Sequence, residues 1–293
     1  SFFKDVPVVE ALAVIARHGG QVEEDLGDFH HYVVRFPNVG VVSALAGEDK
    51  VMWVDNGPPP KTTFNDGARE RTNVNLIQQE TGLNGSGVVL GSWDKGQVDS
   101  THIDFTGRLT IAESATASDH ATHVAGTMAG SGQNSINQGG SAFQWRGVAT
   151  AAAIVSYSFN GGSSGSEHNE AINTYGIDLS QNSWGYVVKQ GNCSWNGDYD
   201  LRSQAYDEIA TGLYGQPILI LFSAGNGRDK TASSGEGCKP DGVDTYEYYS
   251  NIAGPGGTAK NIVTVGATNS NDDSMTDFSD WGPVDDGRLK PEV

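Results

Sequence analysis

Gly87-Val88-Val89-Leu90-Gly91-Ser92-Trp93-Asp94-Lys95-Gly96 decides the reading of this chain. It is an apolar run of strand length that ends on a carboxylate, and Gly96, two residues on, permits a tight turn. The pattern recurs. Apolar runs lie at 87–92, 153–159, 177–183, 217–223 and 261–267, with helix-compatible stretches at about 120–130, 166–175 and 200–212. Strands that alternate with helices from Gly87 onward predict a doubly wound α/β domain with a mostly parallel sheet, over residues 74–293 and with its start no earlier than about residue 65. Sites in such sheets form at the carboxyl ends of strands, and Asp94 and Asn226 both follow a strand directly. Segment 227–257 is rich in Gly, Ser and Asp and reads as a long surface loop. No internal repeat or heptad pattern is visible.

Residues 1–57 read as a separate unit. Val8 to His18 has the spacing of an amphipathic helix stopped by Gly19-Gly20. His31 to Phe36 reads as a strand, Val39 to Leu45 as a second short helix and Val51 to Val54 as another strand. These predict a small α+β sandwich. Gly57-Pro58-Pro59-Pro60-Lys61-Thr62-Thr63 suits neither helix nor strand, so residues 58–73 read as a linker.

The 293 residues allow one large domain or two, and 39 glycines imply much loop and turn. The formal net charge of -18 argues against nucleic acid and anionic membranes as partners. No apolar run is long enough to span a bilayer. No signal peptide is visible at Ser1, so any targeting segment is expected to have been removed or to lie outside these residues. Cys193 and Cys238 leave two readings open: two partly exposed thiols, or one disulfide tying two loops in an oxidising compartment. Such a bridge would contribute roughly 4 kcal/mol on the chain-entropy model. Two cysteines this far apart do not make a zinc site, and no metal ligands are assigned.

Three residues suit acyl transfer. A nucleophilic hydroxyl needs a base to take its proton, and the base needs an acid that fixes its tautomer. Asp94 is the candidate acid. His120, in Asp119-His120-Ala121-Thr122-His123-Val124-Ala125-Gly126-Thr127, is the candidate base at a helix start. Small residues behind it let that helix pack closely on the sheet. Asn226, in Ser223-Ala224-Gly225-Asn226-Gly227, is the candidate amide donor to an oxyanion. Each alone has a plainer reading as a turn, cap or structural residue; their order and flanking residues set those aside. Asp99, His102 and Asp104 lie near Asp94 and read as part of the solvated loop after the strand, not as a metal cluster.

These segments, in this order, resemble the subtilisin-like serine peptidases (subtilases). So do Gly256 to Ala267, Asp277-Phe278-Ser279-Asp280-Trp281-Gly282-Pro283 and Asp286 to Val293. The resemblance covers nearly the whole chain and implies a serine endopeptidase that acts on polypeptide substrates without an obligatory cofactor. Calcium, common as a structural ion in that family, remains open, with Asp272-Asp273 or the 227–245 loop as oxygen sources. The family segment has Gly after its catalytic His, where this chain has Ala121. His123 matches a second, structural histidine and is expected to be buried. Ser183-Trp184-Gly185 matches the segment that pairs with substrate backbone and walls the specificity pocket. Residues 8–55 resemble the family's propeptide, a folding chaperone and inhibitor, although its usual first strand is not evident. Phe64-Asn65-Asp66-Gly67-Ala68-Arg69 resembles the join in secreted bacterial alkaline subtilases, which implies a secreted zymogen. No Gly-Thr-Ser-Met-Ala-type nucleophile segment occurs in the chain. Two expectations follow: a peptidase present as a fragment, inactive alone because its serine lies on another piece, or a non-catalytic relative that binds or supports.

Overall fold

The computed structural model describes residues 1–26, 30–54, 64–161, 164–234, 237–239, 242, 251–252, 256–269 and 272–293. The chain divides into two compact units, Ser1–Thr62 and Thr63–Val293.

In the first unit, helix α1 (Val8–Arg17) buries Ala11, Val14 and Ile15 on one face. It stops where Gly19 takes a left-handed φ of 72°. Strands β1 (Gln21–Leu26) and β2 (His31–Arg35) form an antiparallel pair, and α2 (Gly40–Ala46) buries Leu45. Phe2, Val6 and Leu45 close the core over α1. Two expectations are corrected. Val51–Val54 is not a strand; Val51 forms only an isolated bridge to Phe2. The partner of β2 is instead Gln21–Leu26, whose Glu-Glu-Asp centre has poor strand propensity and is held by its neighbour.

The second unit opens with α3 (Phe64–Arg71) and α4 (Val74–Thr81). The expected linker at 58–73 is therefore helical from Phe64, and residues 58–63 lie outside the described residues. Buried Arg69 explains the order there. Its guanidinium donates to Asn75 Oδ1 at 2.9 Å, to Gln78 Oε1 at 2.6 Å and to the Gly147 carbonyl, tying α3 to α4 and to the body of the domain.

The body is a six-stranded sheet. Its strands are β3 (Val89–Asp94), β4 (Leu109–Ile111), β5 (Ala153–Ser158), β6 (Leu179–Asn182), β7 (Leu219–Ser223) and β8 (Val263–Val265). They lie in the order β4-β5-β3-β6-β7-β8, and every pairing is parallel. Helices α5 (Asp119–Ala129), α6 (Ser164–Asn173) and α7 (Leu201–Ala210) fall where the sequence pattern puts them. The fold is α/β with a parallel sheet, as expected. β4 was not anticipated, since three residues carry no periodicity.

Alternate side chains of each strand serve opposite faces. Trp93, Val155, Tyr157, Ile220 and Phe222 pack with α6 and α7 residues such as Ala171, Ile172, Tyr206 and Ile209. Leu90 and Ile154 face the other way, against Ala121, Ala125 and Ala129 of α5. The alanines permit the close approach of α5 to β3 and β5. Beside α5, over β6, β7 and β8, lies an open apolar cavity of about 510 Å³ whose lining includes Met128, Val148, Leu179, Leu221, Val265 and Asn226. Among the described residues no helix is long and apolar enough to cross a membrane.

Candidate active site

The chain passes from β3 outward to β4, returns to β5 on one side of β3, and then crosses to β6 on its other side. The carboxyl end of β3 therefore stands where the direction of winding changes, which is where such sheets form crevices. Asp94 is the last residue of that strand, and its side chain is only 2% exposed.

The neighbouring residue fixes the strand end. Trp93 is stacked on His168 at 4.0 Å and on Tyr157 at 4.7 Å, and its Nε1–H donates to Glu167 Oε2 at 2.9 Å. His168 is fully buried, and burial pushes its imidazole down to about 4, so it stays neutral beside the indole.

The turn after Asp94 brings α5 to it. Gly96, at φ 94°, passes so close to the Thr116 carbonyl that a Cβ would collide with it. Gln97 N–H then donates to Thr116 O at 3.2 Å, and Ser118 N–H donates to Gln97 O at 2.9 Å. Ser118 caps α5 by accepting from Ala121 N–H at 3.3 Å. His120, in the first turn, is thereby set against Asp94. Its Nδ1 lies 2.7 Å from Asp94 Oδ1 and 2.8 Å from Oδ2. Asp94 Oδ1 also accepts Lys95 N–H at 2.6 Å. A carboxylate only accepts hydrogen bonds, so Nδ1 carries a proton toward Asp94, and in the neutral ring the lone pair is then on Nε2. With 59% of the His120 side chain exposed, Nε2 is accessible, and among the described residues no hydroxyl is bonded to it. This is an oriented base.

Asn226 stands three residues beyond β7. It is exposed, and none of the described residues hydrogen-bonds its side-chain amide. Ser183, Trp184 and Gly185 follow β6 directly. Trp184 is held by its Nε1–H to Asn182 Oδ1 at 3.2 Å and by ring contacts to Phe159 and Phe222. Gly185 is exposed, its backbone has no hydrogen-bond partner among the described residues, and a Cβ there would meet nothing. All three, with Asn226, Gly227, Asn251 and Asp280, line a second cavity of about 370 Å³. Ser183 and Asn226 line both cavities, so the segments after β6 and β7 share one crevice.

Three expectations change here. His123 is exposed, not buried. α5 buries Ala121, Ala125 and Ala129, and a residue two positions from Ala121 and from Ala125 points away from that face. Asp104 is buried rather than solvated and accepts Asn134 N–H at 2.8 Å. Asp99, as expected of a loop, folds back on Thr101. Parts of 227–257 are interior. Arg228 is fully buried, its guanidinium 4.2 Å from the Trp281 ring centre, and Asn251 and Ile252 are buried too. Of the two readings left open for the cysteines, the disulfide holds: Cys193 and Cys238 are joined, with Cα atoms 5.6 Å apart. Among the described residues no group of three or more His, Cys, Asp or Glu side chains could hold a metal ion.

Asp280 was not singled out from sequence. An aspartate in a Ser/Asp-rich loop carries no pattern of its own, and only the fold brings it beneath Asn226.

The chain is 26% identical over 211 residues to Subtilisin-like protease 1 of Trichophyton rubrum, a match that takes in 69% of this chain and 34% of that protein. It thus spans about a third of the length of that relative. Among solved structures it is similar to MycP1 with its N-terminal propeptide removed, at 17% identity and a TM-score of 0.50, covering 74% of this chain and 68% of that one. It also resembles a cold-adapted subtilisin-like serine proteinase at 24% identity and a TM-score of 0.40, over 69% of this chain and 62% of that one. Residues 85–293 match the model of the subtilase family, peptidase S8, and the chain belongs to that family.

Proposed function

We propose that this chain is part of a secreted serine endopeptidase, with Asp94 as the orienting acid, His120 as the general base and Asn226 as the oxyanion donor. The observation that carries the reading is the Asp94–His120 hydrogen bond, made by a buried carboxylate and leaving Nε2 exposed. In the reaction, a serine hydroxyl gives its proton to Nε2 as its oxygen attacks the peptide carbonyl. The Asn226 amide donates to the resulting oxyanion, His120 returns the proton to the departing amine, and water then releases the acyl group by the same route. Side chains supply all of this chemistry, with no cofactor. Ser183, Trp184 and Gly185 present the edge along which an extended polypeptide lies.

The nucleophile belongs to a segment other than the described residues, none of which offers His120 a hydroxyl. The apolar cavity between α5 and β7, open beside Asn226, is a surface on which such a segment can pack. Residues 1–57 act as the propeptide of this zymogen.

The test is a fluorogenic peptide assay with mass spectrometry of the incubated chain. The 293 residues alone are expected to cleave neither peptide nor their own linker. The chain extended by its downstream coding sequence is expected to cleave both, and His120→Ala to abolish this. An extended, folded chain with no His120-dependent cleavage would leave the protein a binding or structural relative.

A further inference from the structure

Asn226 is an unusual donor in that none of the described residues holds its side chain, yet both of its neighbours are held by one residue. Asp280 N–H donates to Gly225 O at 3.0 Å, and Gly227 N–H donates to Asp280 Oδ1 at 2.7 Å. The Asn251 side-chain amide donates to that same Oδ1, and Asn251 is itself fixed by Trp281 N–H at 3.1 Å to its Oδ1. Asp280 is 7% exposed. Its second oxygen lies directly under Gly225, where φ is 113° and a Cβ would overlap the carboxylate. The turn Gly225-Asn226-Gly227 therefore rests on this carboxyl group, and among the described residues none takes up the Asn226 side-chain amide. A donor fixed before charge develops costs no reorganisation in the transition state.

We propose that Asp280 is the positioning residue of the oxyanion site, holding the Gly225–Gly227 turn so that the Asn226 amide points into the crevice. This rests on the reading of Asn226 as the oxyanion donor. Asp280 acts through the turn, by its bonds to Gly225 and Gly227. Burial pushes its carboxyl up to about 7, against the donors from Gly227 and Asn251. That is the mark of a group kept inside for its shape and acceptor oxygen.

Two measurements test it. The first uses the 293-residue chain, ¹⁵N-labelled, and reads backbone order at Gly225 to Gly227. Asp280→Ala should lower the order parameters there from about 0.85 toward 0.6, while Asp280→Asn, which keeps one acceptor oxygen and the shape, should preserve them. An equally ordered turn in a folded Asp280→Ala chain overturns the proposal. The second uses the extended, active peptidase. Asp280→Ala should lower kcat about 10- to 100-fold with KM nearly unchanged, and Asp280→Asn should restore most of the loss. In an Asn226→Ala background the same Asp280→Ala change should cost less than about twofold, since the donor it positions is gone. Equal losses in the two backgrounds would overturn the proposal. If no His120-dependent cleavage exists, the peptidase reading falls, and the order parameters alone still decide whether Asp280 holds the turn.

Discussion

At the scale of single residues, the site is built from side chains whose surroundings differ sharply. Asp94 is buried and His120 exposed, so the acid is shielded while the base meets solvent. Asp280 is the inverse of a salt-bridged carboxylate. Its pKa is raised to about 7 by burial, against the hydrogen bonds from Gly227 and Asn251 and the positive charge of the nearby Arg228 guanidinium. The sign follows from linkage. The folded state holds this proton more tightly than the unfolded chain, so the stability Asp280 contributes is complete below about pH 4 and is lost as pH rises through 7. The wild type should lose up to roughly 4 kcal/mol more than Asp280→Asn between those limits. Urea titrations of both at pH 4, 5.5 and 7 read this directly, and parallel curves would refute it. Gly225 is the second test at this scale. Its positive φ and its contact with Asp280 leave no room for a methyl group, so Gly225→Ala should destabilise by about 2–3 kcal/mol. A loss under about 0.5 kcal/mol would mean that the turn can shift.

At the scale of elements, strand ends and helix starts convert sequence order into geometry. Ser118 caps α5, and the Gln97–Thr116 and Ser118–Gln97 bonds bind that cap to the turn after β3. Ser118→Ala should therefore cost about 1 kcal/mol, measured by denaturant unfolding, and should loosen the Asp94–His120 contact. A chemical shift of the His120 ring proton unchanged from wild type would argue that the cap serves stability alone. The same elements explain what was legible beforehand. Five apolar runs announced five strands, because buried parallel strands are apolar on both faces. Asp94, His120 and Asn226 could be named because each closes or opens such an element. β1 and β4 escaped notice because charge and shortness hide a strand that its neighbour stabilises. α3 and α4 escaped because they carry few buried residues, and α3 is ordered by Arg69, a contact made across distant sequence. Asp280 escaped for the same reason: its role depends on a loop from one strand passing under the loop of another.

At the scale of the molecule, two loop segments that bracket the second cavity are tied by the Cys193–Cys238 disulfide, which joins cysteines 45 positions apart in sequence. One cysteine follows the Ser183–Val188 wall and the other follows Asn226–Lys230, and both of those stretches line that cavity. The larger apolar cores of the second unit lie under α5 and under α6 and α7, while the loop region has a small buried cluster of Ala224, Ile252 and Val284 and the contact of Trp184 with the main core. The bridge adds a covalent tie to this packing. Closing a loop of this length removes unfolded-state entropy worth roughly 4 kcal/mol. Reduction, or Cys193→Ser with Cys238→Ser, should thus lower the unfolding temperature of the second unit by about 10 °C. The Asp94–His120 pair, held by β3 and α5 and not by the loops after β6 and β7, should keep its geometry, while peptide binding along Ser183–Gly185 should weaken. Calorimetry with and without reductant, beside ¹⁵N spectra of His120 and Gly185, separates the two effects. A reduced protein that melts at the same temperature, with Gly185 unperturbed, would show that packing and not the bridge shapes this wall.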